Sequence, residues 1–233
     1  MSDPVSDAGT RRRDRAFARE RDQRACWLLS QHPATAALLV SLGWFPSAAK
    51  ARRRLRRLVQ KKRIRLVGTL ARKIGRPEHV YCVWRPKSDQ LLHEVELTEV
   101  CLRLHAEKIL RGPQVRDKEL RPDAEVWIDG TLYYLELDRA TSGYDRIVSR
   151  RFASYRGREQ LSLWVCPSLP RREGLQHRAG SLRATALFAT LAEALADPHG
   201  DIWVDHLGAR AALPRHGEAG RKVVSIPGPK GGS

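Results

Sequence analysis

The stretch that decides the fold is Ser47-Ala48-Ala49-Lys50-Ala51-Arg52-Arg53-Arg54-Leu55-Arg56-Arg57-Leu58-Val59-Gln60. Ala48, Ala51, Leu55, Leu58 and Val59 recur at three- and four-residue intervals, the period of one helix face. Ser47 is placed to cap the helix, because a serine hydroxyl accepts an orphan N–H of the first turn. Lys50, Arg53, Arg54 and Arg57 fall outside the apolar stripe. The spacing predicts a helix over 48–60 with one face for a core and the rest for an anionic partner.

The neighbouring segments fit a small DNA-binding unit. Upstream, Ala25, Cys26, Leu28 and Leu29 mark a helix that starts near Asp22 and stops before Pro33. A short helix follows over 35–42, closed by Gly43, and Trp44-Phe45-Pro46 makes a turn. Downstream, residues 64–70 and 79–84 read as strands. The loop between them carries Arg72, Lys73 and Arg76. Helix, short helix, turn, basic helix and β-hairpin is the order of a winged helix-turn-helix, expected over residues 20–86. Residues 1–19 read as a basic flexible leader, with a phosphate-touching arm as the alternative.

Charge supports this division. The 233 residues carry a formal net charge of +17. Residues 1–89 hold 22 Lys and Arg against 7 Asp and Glu, while residues 90–233 hold 21 against 19. The surplus sits in the first two fifths, which points to a polyanion partner there. Double-stranded DNA is the expected partner, bound by Lys50, Arg53, Arg54 and Arg57 on the helix and by Arg72, Lys73 and Arg76 on the wing. A protein-binding winged helix is the alternative. Other proteins of a mobile-element or defence complex, and a second copy of the chain, are further candidate partners. The four cysteines, Cys26, Cys82, Cys101 and Cys166, form no CxxC pair and read as small hydrophobes. No signal peptide and no long apolar run is evident, so a cytoplasmic protein without a membrane partner is expected.

After a linker at 86–89, strands and helices alternate, which argues for a mixed α/β sheet over 90–207 and an α/β (α+β overall) chain. A helix is expected over 91–109 and strands over 124–128 and 132–137, joined by the hairpin signal Asp129-Gly130. A helix over 144–155, a strand over 161–165, a helix over 171–179, a strand over 184–189, a helix over 191–196 and a strand over 202–204 complete the pattern. Residues 214–233 are rich in Gly, Pro and Lys and read as a disordered tail.

The chemistry gathers on the hairpin. Asp123 opens its first strand, and Glu136 and Asp138 lie near the end of the second. Strand residues two apart share a face, so Asp123, Glu136 and Asp138 are expected together. Clustered carboxylates repel unless a cation joins them. A bound Mg²⁺ would activate water for phosphodiester cleavage. The expected metal ligands are Asp123, Glu136 and Glu99, and Mg²⁺ is expected only if the site is active. The alternative is a structural role in which Glu136 and Asp138 pair with Arg139, Arg146, Arg150 or Arg151.

Pro122-Asp123 with Glu136 thirteen residues later, inside helix–hairpin–helix–strand, resembles the PD-(D/E)xK nuclease fold. More narrowly, the chain is similar to the replication-relaxation family of plasmid and mobile-element proteins. The resemblance rests on His93 with Thr98-Glu99, RPDA at 121–124, LELDRATS at 135–142, Arg151 with Tyr155, and WVCPS at 164–168 followed by Arg171-Arg172. It covers roughly residues 20–205. It implies a winged helix ahead of a nuclease-like domain, with Asp123, Glu136, Asp138 and Arg151 as the catalytic set. Asp138 stands where the nuclease pattern has a lysine. Arg151 is placed to return a cation, but a guanidinium does not deprotonate near neutral pH and serves only to stabilise charge. Both a nuclease-like module that no longer cuts and a Mg²⁺-dependent endonuclease or nickase therefore stay open.

Overall fold

The structure is a computed structural model that describes residues 5–71, 77–139, 145–182 and 184–215, with side chains described from residue 17 in the first helix and from residue 148 in the fifth. It is a mixed α+β fold. The chain divides into two compact units, Met1–Thr98 and Glu99–Ser233. Arg72, Lys73 and Arg76 lie outside the described residues, as does most of the expected tail.

The first unit runs α1 (Val5–Gln31), β1 (Ala34–Thr35), α2 (Ala36–Ser41), α3 (Ala48–Gln60), β2 (Arg65–Leu70) and β3 (Glu78–Cys82). Thr35 caps α2 by accepting from Leu38 N at 3.2 Å, and Ser47 caps α3 by accepting from Lys50 N at 3.3 Å. Gly43, at φ +72, turns the chain between them. Ala51, Leu55 and Leu58 of α3 are buried, as the apolar stripe requires. The strands pair antiparallel in the order β1-β3-β2.

Two boundaries differ from the sequence expectation. The leader expected over 1–19 is helical from Val5 onward. Its Ala and Arg residues are strong helix formers, a signal that apolar periodicity misses. Arg24 and Glu20, one turn apart at 2.6 Å, add an exposed ion pair on this helix. The boundary between units also falls beyond the expected linker at 86–89. A short 3₁₀ turn at Ser88–Gln90 leads into α4 (Leu91–Arg103). Leu91 and Val95 of α4 join Val80, Val67 and Leu70 in one cluster, so the start of α4 belongs to the first unit.

The second unit continues with β4 (Lys108–Arg111), β5 (Ala124–Ile128), β6 (Thr131–Leu137), α5 (Asp145–Tyr155), β7 (Ser162–Cys166), α6 (Leu169–Leu182), β8 (Ala186–Thr190), α7 (Leu191–Ala196), β9 (Trp203–Val204) and β10 (Arg210–Ala211). The seven strands form one sheet in the order β10-β9-β8-β7-β6-β5-β4. β4, β5 and β6 run antiparallel. β6, β7 and β8 run parallel, and β9 returns antiparallel. Asp129 and Gly130 both take positive φ, +49 and +73, as a two-residue turn of this hand demands. The helix expected over 91–109 ends instead at Arg103. His105 turns left-handed at φ +47, and residues 108–111 become an edge strand with Lys108 opposite Trp127. The Lys108 ammonium sits 5.1 Å from the Trp127 ring centroid, a contact that favours this pairing.

Both faces of the central strands are buried, with Leu135, Leu163, Val165 and Leu187 on one and an aromatic cluster on the other. Phe152 of α5 packs on Trp164 of β7 at 4.4 Å between ring centroids. Tyr155, Leu175, Ala179 and Phe188 complete the same cluster. These are α5 and α6 residues laid on alternate β6–β8 positions, and Glu136 shares their face because it pairs in register with Trp164. No described helix is long and apolar enough to cross a membrane.

Candidate functional site

The hairpin brings Asp123 and Glu136 together. Asp123 lies one residue before β5, and the register Ala124–Leu135 sets it beside Glu136. An Asp123 carboxylate oxygen accepts from Leu137 N at 2.9 Å. Glu136 is buried, at 3% exposure. Its Oε1 accepts from Arg151 Nη1 at 2.6 Å and from the Tyr155 hydroxyl. The same Arg151 nitrogen donates to the Arg121 carbonyl at 3.0 Å, which ties α5 to the loop before β5.

Burial pushes the Glu136 carboxyl well above the usual carboxylate range, and the nearby Asp123 charge pushes it further; Arg151 and the Tyr155 hydroxyl pull the other way. The Asp123 carboxyl therefore lies close enough to Glu136 to act on its charge. Burial also raises the Tyr155 phenol, with the Glu136 charge adding to it, so Tyr155 stays a donor.

Asp138 does not join this pair. Its side chain is fully buried and is held by Arg171 of α6, with Nε at 2.6 Å and Nη2 at 3.1 Å from its two oxygens. The partner is none of the four arginines expected for it. Such a two-point guanidinium contact fixes a carboxylate in place and offsets its charge. Asp138 thus links β6 to α6, and its charge adds to burial in raising the nearby Cys166 thiol to about 12.

Glu99 is half-buried on α4. Among the described residues, no group of three or more His, Cys, Asp or Glu is arranged to hold a metal ion. Of the expected set, the hairpin brings Asp123 and Glu136 together. Two neighbouring carboxyl groups are a donor set that Mg²⁺ accepts when water or a phosphate completes its shell. The Arg151 guanidinium already offsets the Glu136 charge from one side.

Sequence reasoning missed a third acid on the same face. Glu125, two residues after Asp123 and opposite Tyr134, is buried. Its Oε1 accepts from the backbone N–H groups of Arg116 and Asp117, both at 2.8 Å, and its Oε2 is buried without a hydrogen bond. Alternation along β5 was the available signal. Glu125 anchors the loop that precedes the strand.

In the first unit, the cations of α3 spread wider than the four expected. Lys50, Arg53 and Arg57 are exposed, and so are Arg52 and Arg56. Arg52 and Arg56 lie near enough to Tyr81 of β3 to favour its ionised form, although burial raises that phenol overall. Together these residues cover the whole exposed arc of the helix. Arg54 differs from its neighbours. It holds Asp22 of α1 in a two-point ion pair, with Nε at 2.6 Å, and Asp22 is buried. Its first task is to join α1 to α3. Arg21 of α1 lies with its guanidinium carbon 5.0 Å from the Phe45 ring centroid, and nothing in the sequence pattern singled it out. No protein-family model, curated protein or solved structure matches the chain.

Proposed function

We propose that this chain is a DNA-binding accessory or regulatory protein of a plasmid or mobile element. Its first unit acts as a winged helix-turn-helix that targets duplex DNA. Its second unit is a nuclease-like module that does not cleave. The carrying observation is the exposed arc of α3, where Lys50, Arg52, Arg53, Arg56 and Arg57 stand free of any acidic residue of the same helix. The element order supports the reading: two helices, a capped basic helix and an antiparallel pair of strands are the parts of a winged helix. A surface so rich in Arg and Lys binds chiefly through phosphates.

The second unit supports a binding role over cleavage. Asp138 is tied to Arg171, and Glu136 to Arg151 and Tyr155, the arginine pairing that a structural role expects. Fluorescence anisotropy with a labelled duplex, across 50–200 mM salt, tests the DNA reading. The expected result is a loss of on the order of a thousandfold or more in affinity over that range. Affinity that is flat with salt sinks it. Incubation with supercoiled DNA and Mg²⁺ or Mn²⁺, beside Asp123→Ala and Glu136→Ala, tests the second half. Strand breakage that both substitutions abolish would make the protein an endonuclease or nickase instead.

A further inference from the structure

The face of α3 turned toward α1 is hollow. A cavity of about 160 Å³ is lined by Arg21, Lys50, Arg53, Arg54 and Arg57, with Phe45 and Pro46 as its apolar wall. No acidic residue lines it. Asp22, the neighbour of Arg21 in sequence, is occupied by Arg54. A water needs about 10–15 Å³ of such space, so the cavity has room for several water-sized groups. A phosphate has five heavy atoms.

A second observation concerns how one of these cations is held. The Arg21 guanidinium lies against the Phe45 ring, and Phe45 is itself buried, so this guanidinium is preset rather than floppy. The start of α3 lies at the same place, through Pro46 and Lys50, and a helix N-terminus favours negative charge.

We propose that this cavity is a seat for one phosphate group, with Arg21 supplying a guanidinium positioned by Phe45 and Lys50, Arg53 and Arg57 further charge. The group comes from a nucleic-acid backbone or from free phosphate. The first source rests on the DNA reading above, and the seat then fixes where the duplex lies along α3. Arg54 contributes shape rather than free charge, since Asp22 already offsets it.

The test uses the full chain in two arms. In the first, inorganic phosphate is titrated into ¹⁵N-labelled protein at low salt, and the Arg Nε–H signals are followed. A saturable shift of the Arg21 signal, lost in Arg21→Gln, is expected. In the second arm, duplex affinity is measured against salt. Arg21→Gln is expected to lower affinity about tenfold and to reduce the log–log salt slope by about 0.9, the loss of one phosphate contact. Arg24→Gln, on the same helix but paired with Glu20, is the control and leaves both unchanged. Circular dichroism confirms that each variant folds, and Arg21→Lys, which keeps charge but lacks the planar guanidinium, falls between wild type and Arg21→Gln. Saturation by phosphate with no change in the duplex slope supports the seat and overturns the backbone as its source. Saturation by phosphate in a protein that binds no duplex supports the seat and overturns the DNA reading. No saturable shift together with an unchanged slope overturns the seat.

Discussion

Replacing Arg171 by alanine tests whether Asp138 is structural. The Asp138 side chain has no exposure, while Arg171 is about a fifth exposed at 22%. Removing the cation strands a buried carboxylate, a change that costs about 3–5 kcal/mol in comparable pairs. Removing the anion is milder. In Asp138→Asn the guanidinium keeps a neutral acceptor and a path to water, so the loss is about 1–2 kcal/mol. The asymmetry follows from exposure alone. In the double variant no charge is stranded, and the total falls short of the sum of the singles by about 2 kcal/mol. Urea unfolding of the full chain measures this. The Trp164 indole N–H, buried and donating to Ser162 Oγ at 3.0 Å, reports on the second unit by NMR. Arg171→Ala is expected to lower the melting temperature by roughly 10 °C. If both single variants stay within about 0.5 kcal/mol of wild type, as ordinary surface changes do, Asp138 is not held as described and its place in a catalytic set reopens.

Three further outcomes follow from the geometry. Glu136 titrates higher in the folded chain than in the unfolded one, so its stabilising contribution is complete below the unfolded value of about 4.3 and fades as pH rises through the folded value. Glu136→Gln removes that dependence. Its stability should vary less with pH than wild type above about pH 4, and superimposable stability–pH curves would refute the upward shift of Glu136. Cys166 is held near 12 and buried, so at pH 8 it should react with a thiol reagent about a thousand times more slowly than in urea; equal rates would show an open site. A Cβ at Gly68 would come 2.5 Å from Leu91 Cδ2. Gly68→Ala should therefore destabilise the first unit by about 1–3 kcal/mol in urea unfolding, and a neutral result would mean that α4 does not press on β2.

Local signals were legible in the sequence and long-range ones were not. The α3 stripe, its serine cap and the Asp129-Gly130 turn are read within a dozen residues, and each folds as expected. β4 was missed because Lys108-Ile109-Leu110-Arg111 has neither helix nor strand period on its own; its fold comes from pairing with β5. The meeting of Asp123 with Glu136 was legible, because a hairpin fixes its own register. The partner of Asp138 was not, since Arg171 is 33 residues away on α6. The same holds for Arg54 and Asp22, 32 residues apart. Charge patterning placed Arg54 among ligand-facing cations, whereas packing gave it a partner inside the fold.

The two-residue turn at Asp129-Gly130 has a further consequence. Asp123 stands six positions before Asp129, and Glu136 six positions after Gly130. The turn is thus a ruler for the carboxyl pair, and its length is measured in whole residues. One residue inserted there would leave both strands intact as strands, yet it would carry Leu135 or Leu137 to the place opposite Asp123 and turn Glu136 to the other side of the sheet. The acids would be parted, and Arg151 would lose its counter-charge, without any change to the amino acids that make the contact. Relatives of this chain that keep Asp123 and Glu136 are therefore expected to keep the length of this turn more faithfully than its composition.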